Sequence, residues 1–442
     1  MAYPALPPLF GTNSPGPVGG LSSTTRQTLS NGMVVLVLNN PSSPTVSLCG
    51  AVGVGAIHET ADRSGLADFT ASALIRGTRS RTYQQMITET EARGCSIGAD
   101  AGNHLSGFYG KALSEDLPLM LEILADMLVH PTFPEPEMEK LRNQMLIDLR
   151  EYEEDTGMRT TRALRSLLYP PDHPYSRLSF GTIETIQNIS RDDMIAFHQH
   201  YHPAATSIAI VGDVQPEAVV ETLERIFGDW NPPETSLTRT LPDVPPLSGV
   251  QRCNMTIPGK VQSDMVMGVH GITRTDPDYY AFLLGNLILG QLGLFGRLGE
   301  SVREKQGLAY HVSSSLQAGL GAGPWVATAG VNPASVEQAI QAILHEIERF
   351  KREGPTSEEL SDARAYLTGS MVLVLESNAG LVSTLLDLEI YGLGLDFIER
   401  FPDIINRVSR EEIIAVARTY LSTEDYVVAV AGPPSSSATC AA

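Results

Sequence analysis

Between residues 229 and 250 the chain carries Pro232, Pro233, Pro242, Pro245 and Pro246 among polar residues. Proline removes a backbone donor and fixes φ, so neither a helix interior nor a central strand accepts such a run. The stretch reads as a linker that breaks the 442 residues into two halves of roughly 200 each. Before it, β-branched apolar runs predict strands over 33–38, following the Asn31-Gly32 turn, and over 45–54, 95–101, 105–112 and 206–211. Apolar spacing of three and four predicts helices over 82–92, 114–129, 134–153, 191–201 and 216–227. The 134–153 helix should bury Met138, Leu141, Met145 and Leu149, and Ser190 should cap the 191–201 helix. After the linker the order begins again: strand 261–270, helix 277–289, strands 309–317 and 324–331, helices 333–352, 356–375 and 409–421, then strand 426–431. Both halves end in a helix followed by a strand, which is the mark of an internal duplication. The resulting division is a flexible N-terminal segment over 1–22, a first domain over 23–228, the linker, a second domain over 251–432 and a tail over 433–442.

Composition narrows the function. Hydrophobic residues make up 42% and charged residues 19%, ordinary for a globular protein with ample core. A net charge of -20 argues against nucleic acid and anionic membrane surfaces, which want clustered Lys and Arg. Cysteines stand at 49, 95, 253 and 440 without metal-type pairing, so reduced thiols are expected. No signal-peptide pattern and no apolar run of about 18 residues is evident. A soluble, cytoplasmic chain is expected, with the periplasm as the alternative if a leader has been processed away.

The stretch from Ser64 to Thr78 reads as one helix, with Ser64 as N-cap, Gly77 as a left-handed C-cap, and Leu66, Phe69, Ala73 and Leu74 on one apolar stripe. Taken alone it is a buried helix without chemistry. It also resembles, residue for residue, the metal-binding helix of the pitrilysin/insulinase (M16) family of zinc peptidases, typically Gly-Leu-Ala-His-Phe-Leu-Glu-His. In that family the two His hold zinc and the Glu activates water. Asp68 stands at the first His position, Ala71 at the Glu and Ser72 at the second His. The family's third ligand is a Glu on a later helix, and Asp148, followed by Arg150, Tyr152, Glu153 and Glu154, falls at that place. The resemblance thus implies a degenerate site holding no metal, since two Asp and a Ser offer few donors even to calcium or magnesium. His173-Pro174-Tyr175 and Phe180-Gly181-Thr182 resemble a loop that shapes the family's domain. His58 should be exposed or a cap. His198 and His202 have a ligand-like spacing but sit where relatives only pack a helix onto a sheet.

In the second half, residues 297–306 form a charged amphipathic run closed by Gly307 and feeding a strand. Arg303-Glu304-Lys305-Gln306-Gly307-Leu308-Ala309-Tyr310 resembles the family's Arg/Tyr signature, whose two members reach across a cleft toward a zinc site. A guanidinium and a phenol can donate to the oxyanion formed on a peptide carbonyl. Glycines over 290–297 suggest a flexible loop near that cleft. The resemblance, covering roughly residues 25–432, implies an α+β fold. It would have two homologous α/β domains, each a mostly antiparallel sheet flanked by helices, facing each other across a cleft (the LuxS/M16-like metallohydrolase fold). Some bacterial members work as two chains, one carrying zinc and one carrying only the Arg/Tyr pair. The chain is therefore expected to be the non-metal subunit of such a heterodimer. It would bind peptide or unfolded polypeptide and lend Arg303 and Tyr310 to the site of a zinc-bearing homologue, with no cofactor of its own. Homodimerisation stays open. A purely structural or peptide-binding protein is the rival reading, and a self-sufficient hydrolase using Asp68 and Asp148 is the third.

Overall fold

The structure, a computed structural model, describes residues 21–231 and 240–434. The N-terminal segment up to residue 20, part of the linker and most of the tail, with Cys440, lie outside the described residues.

The first half contributes strands β1 (Thr25–Thr28), β2 (Val34–Asn39), β3 (Thr45–Val52), β4 (Ser96–Ala101), β5 (Ser106–Leu113) and β6 (Thr206–Gly212). Its helices are α1 (Leu66–Ala73), α2 (Tyr83–Glu91), α3 (Leu117–Val129), α4 (Glu135–Glu154), α5 (Thr156–Leu168), α6 (Ile183–Asn188), α7 (Arg191–His198) and α8 (Pro216–Phe227). The second half contributes β7 (Val250–Thr256), β8 (Ser263–His270), β9 (Ala309–Leu316), β10 (Pro324–Val331) and β11 (Tyr426–Gly432). Its helices are α9 (Tyr279–Asn286), α10 (Val336–Glu353), α11 (Ser357–Val374), α12 (Asn378–Ile390), α13 (Phe397–Arg407) and α14 (Arg410–Tyr420).

The two sheets repeat one topology. The first runs β1-β2-β6-β3-β5-β4 and the second β7-β11-β8-β10-β9. In each, one pair is parallel (β2 with β6, β7 with β11) and every other pair is antiparallel. Dropping β1 makes the orders correspond strand for strand, as the repeated pattern in the sequence predicts. Each sheet ends on a strand paired along one side only, β4 in the first and β9 in the second.

Both faces of the central strands are covered, so their sequences run apolar without alternation. Along β2, Val35 and Val37 point into the first domain's core, while Leu36 and Leu38 meet residues of the second half. The helices that cover the far faces are exchanged between halves. Leu164 and Leu168 of α5 pack on Val266, Val427 and Ala429 of the second sheet. Leu381, Val382 and Leu385 of α12 belong to one cluster with Leu36, Leu38, Ala209 and Val211 of the first. Polar links reinforce the crossing. Arg26 donates twice to Glu389 at 2.8 and 2.7 Å, and Asn378 donates to the Thr45 carbonyl at 3.0 Å. No single helix among the described residues is long and apolar enough to cross a membrane; α11 and α12 meet that length and apolarity only together, across a 113° bend.

Helix starts follow the sequence closely. Ser190, Thr182 and Thr356 form capping boxes, and α8 begins at Pro216. On α4, Leu146 rather than Met145 joins the fully buried stripe with Met138, Leu141 and Leu149. The helices α5, α6, α12 and α13 and the edge strands β1 and β7 are elements beyond those expected from the sequence. Asn286 at the end of α9 ties the second sheet to its helices. Its Oδ1 accepts from Trp325 Nε1 and Ser314 Oγ, each at 2.8 Å. Asn286→Ala leaves the buried Trp325 indole N–H without its acceptor and Ser314 Oγ with only the more distant residue-286 carbonyl at 3.4 Å. It should cost about 1–3 kcal/mol, read as a lower urea midpoint at unchanged slope.

Candidate functional site

The region matching the zinc helix is built around an unexpected cap. The Glu59 carboxylate, 2% exposed, accepts from the backbone N–H of Gly65 at 3.0 Å and of Ala67 at 2.6 Å. It satisfies the first donors of α1 from outside the helix. Ser64 therefore is not the N-cap; Gly65 is, at φ +93°, where a Cβ would come within 2.9 Å of the Phe180 carbonyl. The Phe180-Gly181-Thr182 loop closes over this start, and a Cβ on Gly181 would stand 2.3 Å from the Ser64 carbonyl. At the other end α1 tightens into a 3₁₀ turn, Leu74–Arg76, which Gly77 caps at φ +152°, ψ +140°, a positive φ that favours glycine but lies outside the left-handed helical region. His58 accepts from the Gly55 N–H at 3.1 Å, the capping role expected of it.

Asp68 lies half-buried on α1 and accepts from the Ala101 N–H at the end of the free edge strand β4. Burial, reinforced by Asp100 beside it, lifts its carboxyl to about 6. Asp148 of α4 accepts from Gln144 at 2.9 Å. Burial raises the Tyr152 hydroxyl's pKa, and the charges of Asp148, Asp68 and Glu151 add to it, so the two aspartates of α1 and α4 act on one phenol. Ala71 is buried and Ser72 half-buried on the same helix. A methyl at the base position and a hydroxyl at a ligand position do not make the donor set zinc requires. Among the described residues no group of three or more His, Cys, Asp or Glu side chains is arranged to hold a metal ion. His198 instead bonds the Leu128 carbonyl at 2.9 Å, and burial lowers its pKa to about 4.

Glu59 and Asp68 give the region a pH dependence. Burial lifts the Glu59 carboxyl to about 8, against the pull of its two N–H donors and Arg177. Both groups hold protons in the folded chain that the unfolded chain releases, so their contribution is complete at acid pH. It is lost as pH rises through about 6 and then about 8. The melting temperature should therefore decline from pH 5 to pH 9, and Glu59→Gln should flatten the upper part of that curve.

In the second half, Arg303 and Tyr310 stand together. The guanidinium carbon lies 5.6 Å from the phenol ring centroid, and Glu304 is 3.7 Å from Arg303 Nε. The charged run is not a regular α-helix but a π-helical segment, Gly299–Lys305, ended by Gly307 at φ +61°. Tyr310 is 76% exposed. On β9 it falls at a bulge: Ala309 pairs with Val331 and His311 with Gly330, leaving Tyr310 unopposed and turned outward. Arg297 anchors this segment from below through Glu359. The glycine stretch before it is compact. A Cβ on Gly299 would lie 2.0 Å from the Gly293 carbonyl, and the turn leaves Phe295 91% exposed. Sequence reasoning missed Glu59 because its cap spans six and eight residues, beyond the three of a capping box.

Comparison with known families decides the kinship. Residues 34–172 match the model "Insulinase (Peptidase family M16)" and residues 188–367 match "Peptidase M16 inactive domain". The chain belongs to the peptidase M16 family. Similar proteins include an uncharacterized zinc protease of Bacillus subtilis (YmxG), 26% identical over 92% of this chain and 98% of that protein. Another, from Mycobacterium tuberculosis (Rv2782c), is 28% identical over 95% of both. Among solved structures, a peptidase M16 inactive domain from Pseudomonas fluorescens superposes with TM-score 0.86 at 25% identity, over 94% of this chain and 99% of that one. A protease from Helicobacter pylori shares the fold at TM-score 0.86 and 19% identity, over 93% of this chain and all of that one (100%). The expected two-domain M16 fold is thereby established.

Proposed function

We propose that this M16 chain is the metal-free subunit of a two-chain peptidase, pairing with a zinc-bearing homologue and lending Arg303 and Tyr310 to that homologue's site. One observation carries the reading. The pair is held together and turned outward at the bulged end of a free edge strand, while the chain's own α1 lacks a base and a second strong ligand. A half-buried guanidinium and an exposed phenol at the surface have no task in this chain's core; beside another chain's zinc they can grip a peptide carbonyl. The free edges of β4 and β9 support peptide capture by strand addition. Phe295, exposed in the turn that precedes the π-helical segment, offers an aromatic anchor to the partner. A family member named an inactive domain fits this division of labour.

The test is reconstitution. Mixed with a zinc-helix homologue from the same genome, the chain should co-elute as a 1:1 complex that cleaves unfolded peptides; two chains that never associate would refute the assignment.

A further inference from the structure

Between the two halves lies a cavity of about 820 Å³ with no role in the reading above. The turn joining β4 to β5 forms one wall and the turn joining β9 to β10 the other. Arg165 of α5 reaches into it from the crossing helix and donates to Gln317 Oε1 at 3.1 Å. Tyr175 and His104 share a hydrogen bond at its side, and the Gly321 N–H donates to the Tyr175 hydroxyl. A Cβ on Gly321 would stand 2.2 Å from that hydroxyl, so the turn keeps its close approach only as glycine. Among the described residues no Asp or Glu lines the cavity, and the side chains acting on Arg165 are the neutral phenols of Tyr169 and Tyr175. His104 is held neutral by burial and by His58.

A half-buried guanidinium facing a cavity, answered by one amide oxygen and no carboxylate, lacks its counter-charge. That local arrangement suits an incoming anion, which must reach Arg165 against the long-range repulsion of a net charge of -20. The planar fork of Arg fits a carboxylate, and the glycine-rich turn over 319–323 lets a peptide end approach closely. The volume suits the last few residues of a peptide. We infer that this cavity binds the C-terminal carboxylate of a peptide on Arg165. The inference deepens the peptide-binding part of the proposed function and is independent of Arg303, Tyr310 and the partner chain.

The test uses the full chain alone and three fluorescein-labelled pentapeptides: one with a free C-terminus, the same sequence amidated, and an amidated form with Asp as last residue. The free acid should bind about tenfold or more tightly than the amide, as expected for one charge-assisted pair. Arg165→Gln should reduce its affinity to that of the amide. If that variant fails to fold, Gln317→Glu, which sets a carboxylate against Arg165 within the fold, should abolish the preference equally. Because the chain is tested without any partner, failure here is separate from failure of the partner assignment, which only the reconstituted complex reads. Equal binding of acid and amide, or no binding of either, overturns the inference. Recovery by the Asp-amide assigns the cavity to acidic side chains and overturns the C-terminal assignment.

Discussion

In the reconstituted pair, Arg303→Ala should lower peptide turnover by about two to three orders of magnitude, and Tyr310→Phe by about tenfold or more. These are the losses expected when a donor to a developing oxyanion is removed, because its strength is realised only as charge builds on the carbonyl oxygen. Arg303 supplies a full positive charge, while Phe at 310 keeps the ring and loses only the hydroxyl. Because Tyr310 is exposed and Arg303 only half-buried, neither change should shift the melting temperature of the isolated chain appreciably. The readout is kcat on an unfolded peptide at saturating partner. A wild-type rate in both variants would remove the pair from the chemistry.

The largest expected loss of stability lies a few residues upstream, at Arg297. Its guanidinium is 6% exposed, bonds Glu359 through Nε and Nη2 at 2.7 Å each, reaches the Gly354 carbonyl at 2.7 Å, and lies 5.0 Å from the centre of the Phe350 ring. Glu346, 1% exposed, is 3.9 Å away. Arg297→Ala strips the positive charge from between two carboxylates that stay behind, and should cost about 3–5 kcal/mol. Arg297→Lys should recover only part of this, since an ammonium cannot bond Glu359 through a planar fork. Urea unfolding of the two variants checks both figures. Loss of the complex in Arg297→Ala would follow from the same cause, because Arg297 seats the segment that carries Arg303.

What the sequence disclosed depended on how local the physics was. The runs at 34–39, 206–212 and 426–432 announced themselves because both faces of those strands are buried, and the capping boxes at Ser190 and Thr356 lie within four residues. Arg297 looked like part of a solvated charged face, yet its partners sit 62 and 57 residues away on α11 and at the end of α10. The same distance hid α5 and α12. Each buries its apolar residues, Leu164 and Leu168 of α5 and Leu381, Val382, Leu385 and Leu388 of α12, against a sheet belonging to the other half, and nothing nearby in sequence registers that placement. At the site, the spacing of Asp68, Ala71, Ser72 and Asp148 showed which donors were missing. The bulge that turns Tyr310 outward and the π-helical form of 299–305 arise from pairing and packing no local pattern records.

The central claim is that the chain contributes to a peptide-cutting site whose metal another chain holds. Its most direct test is a titration: peptide hydrolysis and bound zinc, followed together as the zinc-bearing homologue is added to the purified chain. The account predicts negligible hydrolysis at the start, a rise that saturates at one partner per chain, and zinc that tracks the partner alone. Chelator-sensitive hydrolysis by the chain before any partner is added would contradict it.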